Sequence, residues 1–87
     1  MTIHRVEVAR RALKVLSSLP RQGQQRIRAA IDLLAEAPRP PGAVRIVGEP
    51  HAYRVRVGDY RVVYEIVDDR LVIQVVRIGH RKDVYRR

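Results

Sequence analysis

The stretch Tyr53-Arg54-Val55-Arg56-Val57-Gly58-Asp59-Tyr60-Arg61-Val62-Val63-Tyr64 decides how this chain folds. Alternating runs of β-branched, aromatic and basic residues flank Gly58-Asp59, and a two-residue loop with glycine first suits a type II′ hairpin turn. The turn sets the register: Val57 faces Tyr60, Arg56 faces Arg61, Val55 faces Val62, Arg54 faces Val63 and Tyr53 faces Tyr64. Opposite residues share a sheet face. Tyr53, Val55, Val57, Tyr60, Val62 and Tyr64 therefore form one, largely apolar, surface, and Arg54, Arg56, Arg61 and Val63 form the other. A packed layer must cover the first. The second is predicted to stay open, with Arg56 directly across from Arg61, a like-charge pairing that folding alone does not favour.

Outward from this hairpin, turn signals at Gly48-Glu49-Pro50, Asp68-Asp69 and Gly79 separate two further strands, about Val44 to Val47 and Leu71 to Ile78. The hairpin strands run from Ala52 to Val57 and from Tyr60 to Val67. Before the cluster Pro38-Arg39-Pro40-Pro41-Gly42 the apolar spacing changes from two to three and four. Ala9, Ala12, Leu13, Leu16 and Leu19 trace a stripe through one helix; Ile27, Ala30, Ile31, Leu34 and Ala35 trace another that Pro20 starts. Thr2 to Val8 alternates and suits a short strand. The pattern predicts a single α+β domain over residues 1–87, in which an N-terminal strand precedes a helical hairpin packed on one face of an antiparallel sheet, leaving a basic face open.

At 87 residues the chain is too short for two compact cores, and with 46% hydrophobic and 31% charged residues it has the composition of a folded domain. It has no cysteine, which excludes disulfides and thiolate chemistry, and His4, His51 and His80 are scattered. No apolar run approaches the roughly 18 residues of a membrane span, and no signal peptide is visible, so a cytoplasmic location is expected. The net charge of +9, carried by 18 Lys and Arg against nine acids, favours polyanionic partners. Arginine supplies 16 of those 18 positions, so part of the excess is also what an arginine-biased genome would produce.

Guanidinium forks match phosphate oxygens, so a row of them along a sheet suits a nucleic-acid backbone; the plainer alternative is a solvated charged face. The ending Arg77-Ile78-Gly79-His80-Arg81-Lys82-Asp83-Val84-Tyr85-Arg86-Arg87 mixes cations with one histidine and one tyrosine. Histidine transfers protons near neutral pH, arginine stabilises a developing phosphorane-like charge, and tyrosine stacks on a base or donates a proton. RNA cleavage requires these groups. No Gly-rich phosphate loop, HExxH or GxSxG is present, and the acids lack spacing for two divalent metals. A nuclease of this composition would need neither metal nor cofactor, and would use attack of a ribose 2′-hydroxyl on the adjacent phosphate.

The order of elements, the Tyr53–Tyr64 stretch and the ending Arg77-Ile-Gly-His-Arg-Lys-Asp-Val-Tyr85 together resemble the RelE/ParE superfamily of bacterial toxins, the RelE branch in particular. The resemblance implies the toxin half of a type II toxin–antitoxin pair, a metal-independent endoribonuclease that cuts mRNA in the ribosomal A site and inhibits translation. Arg61 and Arg81 match the family's phosphate-holding arginines, and Tyr85 its base-orienting tyrosine. Arg54 and Arg56 stand where the best-studied branch has lysines, one of them assigned as general base, a role that suits arginine poorly. His80 is then the proton-transfer candidate. Arg54, Arg56, Arg61, Arg77, Arg81 and Lys82 are the expected RNA contacts, Asp83 an orienting partner, and His4 and His51 surface or core-edge residues. Implied partners are the ribosome with its mRNA and rRNA, and an acidic antitoxin segment that folds along the helical hairpin and the sheet edge, anchors on Ala12, Leu16 or neighbouring helix positions, and occludes or displaces the Arg54/Arg61/Arg81 face. The toxin–antitoxin complex would be heterotetrameric and bound to operator DNA through the antitoxin. The alternatives are a ParE-like, non-enzymatic inhibitor of DNA gyrase, or an inactive nucleic-acid-binding homologue.

Overall fold

The chain, seen in a computed structural model that describes residues 3–80, follows the predicted order of elements. It runs β1 (Arg5–Val8), α1 (Arg10–Ser18), α2 (Arg21–Glu36), β2 (Val44–Arg45), β3 (Ala52–Val57), β4 (Tyr60–Val67) and β5 (Val72–His80), with a 3₁₀ turn at Asp68–Arg70. The hairpin strands β3 and β4 end where the alternation placed them. β1 and β2 are shorter than expected, and β5 runs two residues further, to His80.

Gly58 adopts a φ of 60°, and Leu71 is the one non-glycine residue of positive φ among the described residues. Asp59 therefore has the negative φ of a type II′ turn, and the five predicted cross-strand pairs from Tyr53↔Tyr64 to Val57↔Tyr60 are present. The sheet order is β1-β5-β4-β3-β2. Strands β2 to β5 form the expected antiparallel meander, but β1 joins β5 in parallel, pairing Arg5 with Val72 and Val8 with Val75. Alternation is the same in both pairings, so only the crossover through two helices and the meander reveals the direction.

The helices cover one face. Leu16, Ile27, Ile31 and Leu34 pack against Val62, Tyr64, Ile73 and Val75, each contributing roughly 1.5–3 kcal/mol by burial. Leu13, placed in the buried stripe by spacing, is 46% exposed. It lies on the stripe's margin, whereas Val15 faces the core with Ala12 and Leu16. Pro20 is the N-cap of α2 rather than its first residue. Gln24 ties the two helices by donating to the carbonyl of Leu19 at 2.9 Å.

A register shift interrupts the β4–β5 ladder: Val63 pairs with Arg77, then Tyr64 with Val75, which leaves Val76 as a bulge. The extra residue explains how Ile73, Val75 and Ile78 all reach the core despite their uneven spacing. Arg11 donates from Nε to the Val76 carbonyl at 3.1 Å and so satisfies the bulge where β1 no longer covers it.

Tyr64 joins the sheet to the proline-rich loop. Its side chain is fully buried, burial pushes its hydroxyl pKa up to about 12, and the hydroxyl donates to the Pro38 carbonyl at 2.7 Å. We expect Tyr64→Phe to leave that carbonyl without a donor and to lower the unfolding free energy by about 1–3 kcal/mol. Urea denaturation measures this, and an unchanged midpoint would show that the bond contributes nothing.

Candidate nucleic-acid interface

On the face turned away from the helices, the hairpin register brings Arg54, Arg56 and Arg61 together, with Arg56 opposite Arg61. These three, with Gly42 and Val44, line a shallow depression of about 150 Å³. The face is partly covered rather than bare: Arg56 is exposed, while Arg54, Arg61 and Val63 are half-buried. Arg56 lays its Nε against the Gly58 carbonyl at 3.0 Å, which turns its guanidinium toward the hairpin tip.

The loop between α2 and β2 forms one wall of this depression and is held by side chains that sequence reasoning missed. Arg39 donates from Nε to the Tyr53 hydroxyl at 3.1 Å and from Nη2 to Asp68 Oδ2 at 2.9 Å, and its guanidinium stands 5.5 Å from the centre of the Tyr53 ring. Tyr53 in turn stacks on Tyr64, with ring centres 6.0 Å apart. Hydrogen bonds to Tyr53 and then Asp68 raise the Arg39 pKa above its ordinary value, and the Arg39 bond, followed by that of His4, holds the Asp68 carboxyl below its own. His4, expected at the core edge, is there: its side chain is 10% exposed, with Nε2 3.4 Å from Asp68 Oδ1. These partners lie far apart in sequence, and no local motif signals them.

His80 is not brought to the arginines. It pairs with Tyr60, whose ring it meets edge-on at 6.2 Å, and Tyr60 packs against the helix-covered core. Adjacent strand residues point to opposite faces, so Gly79, which pairs with Arg61, shares the arginine face and His80 does not. The register thus sets His80 and Arg61 on opposite faces of the sheet. His80 lines instead a groove of about 450 Å³ between α1 and β5, with Val15, Leu19, Tyr60 and Ile78. Arg77, exposed, pairs with Val63 at the flank of the arginine face. Arg81, Lys82, Asp83 and Tyr85 lie outside the described residues.

A larger depression of about 520 Å³ lies at the other end of β3 and β4, where Glu49, Glu65, Asp68 and Asp69 surround His51. Its carboxylates repel phosphate. The depression lined by Arg54, Arg56 and Arg61 and the one lined by these carboxylates thus lie toward opposite ends of β3 and β4.

A family described as the ParE toxin of the type II toxin–antitoxin system parDE matches residues 6–85. A RelE1 toxin candidate of Methanocaldococcus jannaschii is 34% identical over 85 residues, 93% of each chain. The chain belongs to the RelE/ParE toxin superfamily. Its fold matches that of RelE proteins: an archaeal RelE–RelB complex from Pyrococcus horikoshii superposes with a TM-score of 0.80 at 31% identity, covering 95% of this chain and 99% of that one. The mRNA interferase toxin RelE of Escherichia coli K12 is 28% identical over 74 residues, 83% of this chain and 77% of that one.

In this RelE-like toxin the Arg39–Asp68 bond gives stability a pH signature. Because the folded-state pKa of Asp68 is lowered, its contribution is present above the ordinary aspartate value of about 3.9 and is lost as pH falls through the lower folded value. Asp68→Asn should therefore have a lower urea midpoint than the parent at neutral pH, and the gap should close as the pH drops below about 4. A gap that persists through the acid range would show that the carboxylate charge is not what holds Arg39.

Proposed function

We propose that the chain is a ribosome-dependent endoribonuclease that cleaves messenger RNA in the A site and so inhibits translation. The observation that carries this reading is the convergence of Arg54, Arg56 and Arg61 on one depression, with two of the cations set directly opposite each other. An anion between them removes the repulsion. The similarity to the E. coli mRNA interferase supports the reaction class.

In the proposed reaction water accepts the proton of the ribose 2′-hydroxyl as its oxygen attacks the adjacent phosphorus. The bond to the 5′-oxygen breaks, that oxygen takes a proton from water, and a 2′,3′-cyclic phosphate remains. Arg61 holds the scissile phosphate, and Arg54 and Arg56 neutralise charge that develops on its oxygens. Arg77 extends the track along the backbone, and Lys82, outside the described residues, is a further RNA contact expected from the sequence alone. On the family resemblance, Arg81 adds a second phosphate-holding cation and Tyr85 orients the base. His80, behind the sheet, is assigned to the helix-side groove and not to proton transfer.

That groove is the proposed seat of an acidic antitoxin segment, since its apolar lining is rimmed by Arg11 and His80. Relatives of known structure include archaeal RelE–RelB complexes, which supports a partner of this kind. Leu16, expected as an anchor, is buried in the core, and Val15 and Leu19 take that place. The second reading, a ParE-like inhibitor of DNA gyrase, is favoured by the ParE description of the matching family and by arginine at the expected lysine positions.

Single-turnover cleavage of mRNA on programmed ribosomes tests the proposal. Arg61→Ala should lower the rate by about 10²–10³ while the protein stays folded. His80→Ala should leave the rate near that of the parent, and a fall of about 10²–10⁴ would return proton transfer to His80. No cleavage by the parent protein, together with inhibition of supercoiling by gyrase, would favour the second reading. Arg56→Thr should weaken RNA binding and, because it removes one member of a cross-strand like-charge pair at the loss of only the Gly58 contact, should raise stability by about 0.2–1 kcal/mol.

A further inference from the structure

The arginine depression has charged groups on one side and a single apolar rim on the other. Val44, 47% exposed, pairs with Arg54 across β2 and β3, so its side chain shares the arginine face. Beside it, Gly42 has a φ of 94°, a backbone conformation that L side chains rarely adopt, and a Cβ built there meets nothing within 4 Å. The backbone at this point is therefore bare toward solvent. Two residues of strand are too few to fix this rim by themselves. It is fixed by its surroundings: the loop turns back on itself through the Ala43 amide and the Pro40 carbonyl at 3.0 Å, and the Pro38 and Arg39 bonds hold its base.

A phosphate held by Arg54 and Arg61 carries a sugar and base to one side. The phosphate takes the hydrogen bonds of the guanidinium floor, and the face of the base that is not stacked on an arginine meets in Val44 and the bare face of Gly42 an uncharged surface. We propose that this Gly42–Val44 rim contacts the nucleobase next to the held phosphate, so that Val44 contributes to base preference while the arginines contribute sequence-independent affinity. The inference rests on the RNA reading of the arginine depression. It adds to it a recognition element on the loop between α2 and β2, outside the arginine hairpin.

The test uses short 2′-O-methyl oligonucleotides, which cannot be cleaved by 2′-hydroxyl attack, in homopolymer series with each base and in an abasic series of equal charge. Binding to the full chain is followed by fluorescence anisotropy at rising salt. Val44→Ser should reduce affinity for base-bearing oligonucleotides by about fivefold, the scale of losing one apolar contact, and should compress the ranking of the bases. It should leave the abasic series and the salt slope unchanged. Arg54→Ala should weaken all series alike and reduce the salt slope by about one. A normal salt response in Arg54→Ala would overturn the RNA reading of the depression. A reduced slope in Arg54→Ala, with Val44→Ser indistinguishable from the parent on every base, would keep that reading and overturn the role of the rim. Circular dichroism and the urea midpoint of Val44→Ser, expected to match the parent for so exposed a residue, separate loss of contact from loss of fold; should that variant unfold, the conservative Val44→Thr carries the same comparison.

Discussion

The two-residue turn at Gly58-Asp59 is the constraint on which both faces of this molecule depend. It leaves the β3–β4 register no freedom, and a slip of one residue in β3 would turn Arg54 and Arg56 toward the core and Tyr53 toward water. Burial of Tyr64, Val62 and Ile66 under the helices holds the register from one side. The cost appears on the other side, where Arg56 and Arg61 stand opposite each other. The repulsion of one such pair is small beside the apolar burial that opposes it, which is why the fold tolerates it.

A second set of interactions carries this order outward to the loop. Tyr64 reaches the Pro38 carbonyl from within the core, Tyr53 stacks on Tyr64, and Arg39 bridges Tyr53 to Asp68. The result is a chain of contacts from the buried centre of β4 to the wall of the arginine depression. Asp68 belongs to the carboxylate-lined depression, and its bond to Arg39 uses that charge to fix a loop whose far side borders the arginine depression. The α1–β5 groove, by contrast, opens on the helix side. A partner seated there and an RNA seated on the arginines occupy opposite faces of the same strands.

The central hairpin, its register and the helical layer were legible because each rests on local signals: alternation, a glycine-first turn and apolar stripes. What was not legible depends on non-local geometry. The parallel β1–β5 pairing leaves no mark on alternation. The Val76 bulge changes the facing of every residue after it without any glycine or proline to announce it, and it accompanies the placement of His80 on the helix side. The membership of Val44 in the arginine face required the β2–β3 register, which the long loop between those strands does not encode. Arg39, Tyr53 and Asp68 meet only because three elements converge.

The most direct test of the account is to map RNA ends by primer extension in cells expressing the chain, alone and together with the product of the neighbouring gene. The account predicts new ends inside codons of translated messages, lost when the partner is supplied. Growth arrest with intact messages and relaxed plasmid DNA would contradict it, and would mean that the arginine face serves a partner other than RNA.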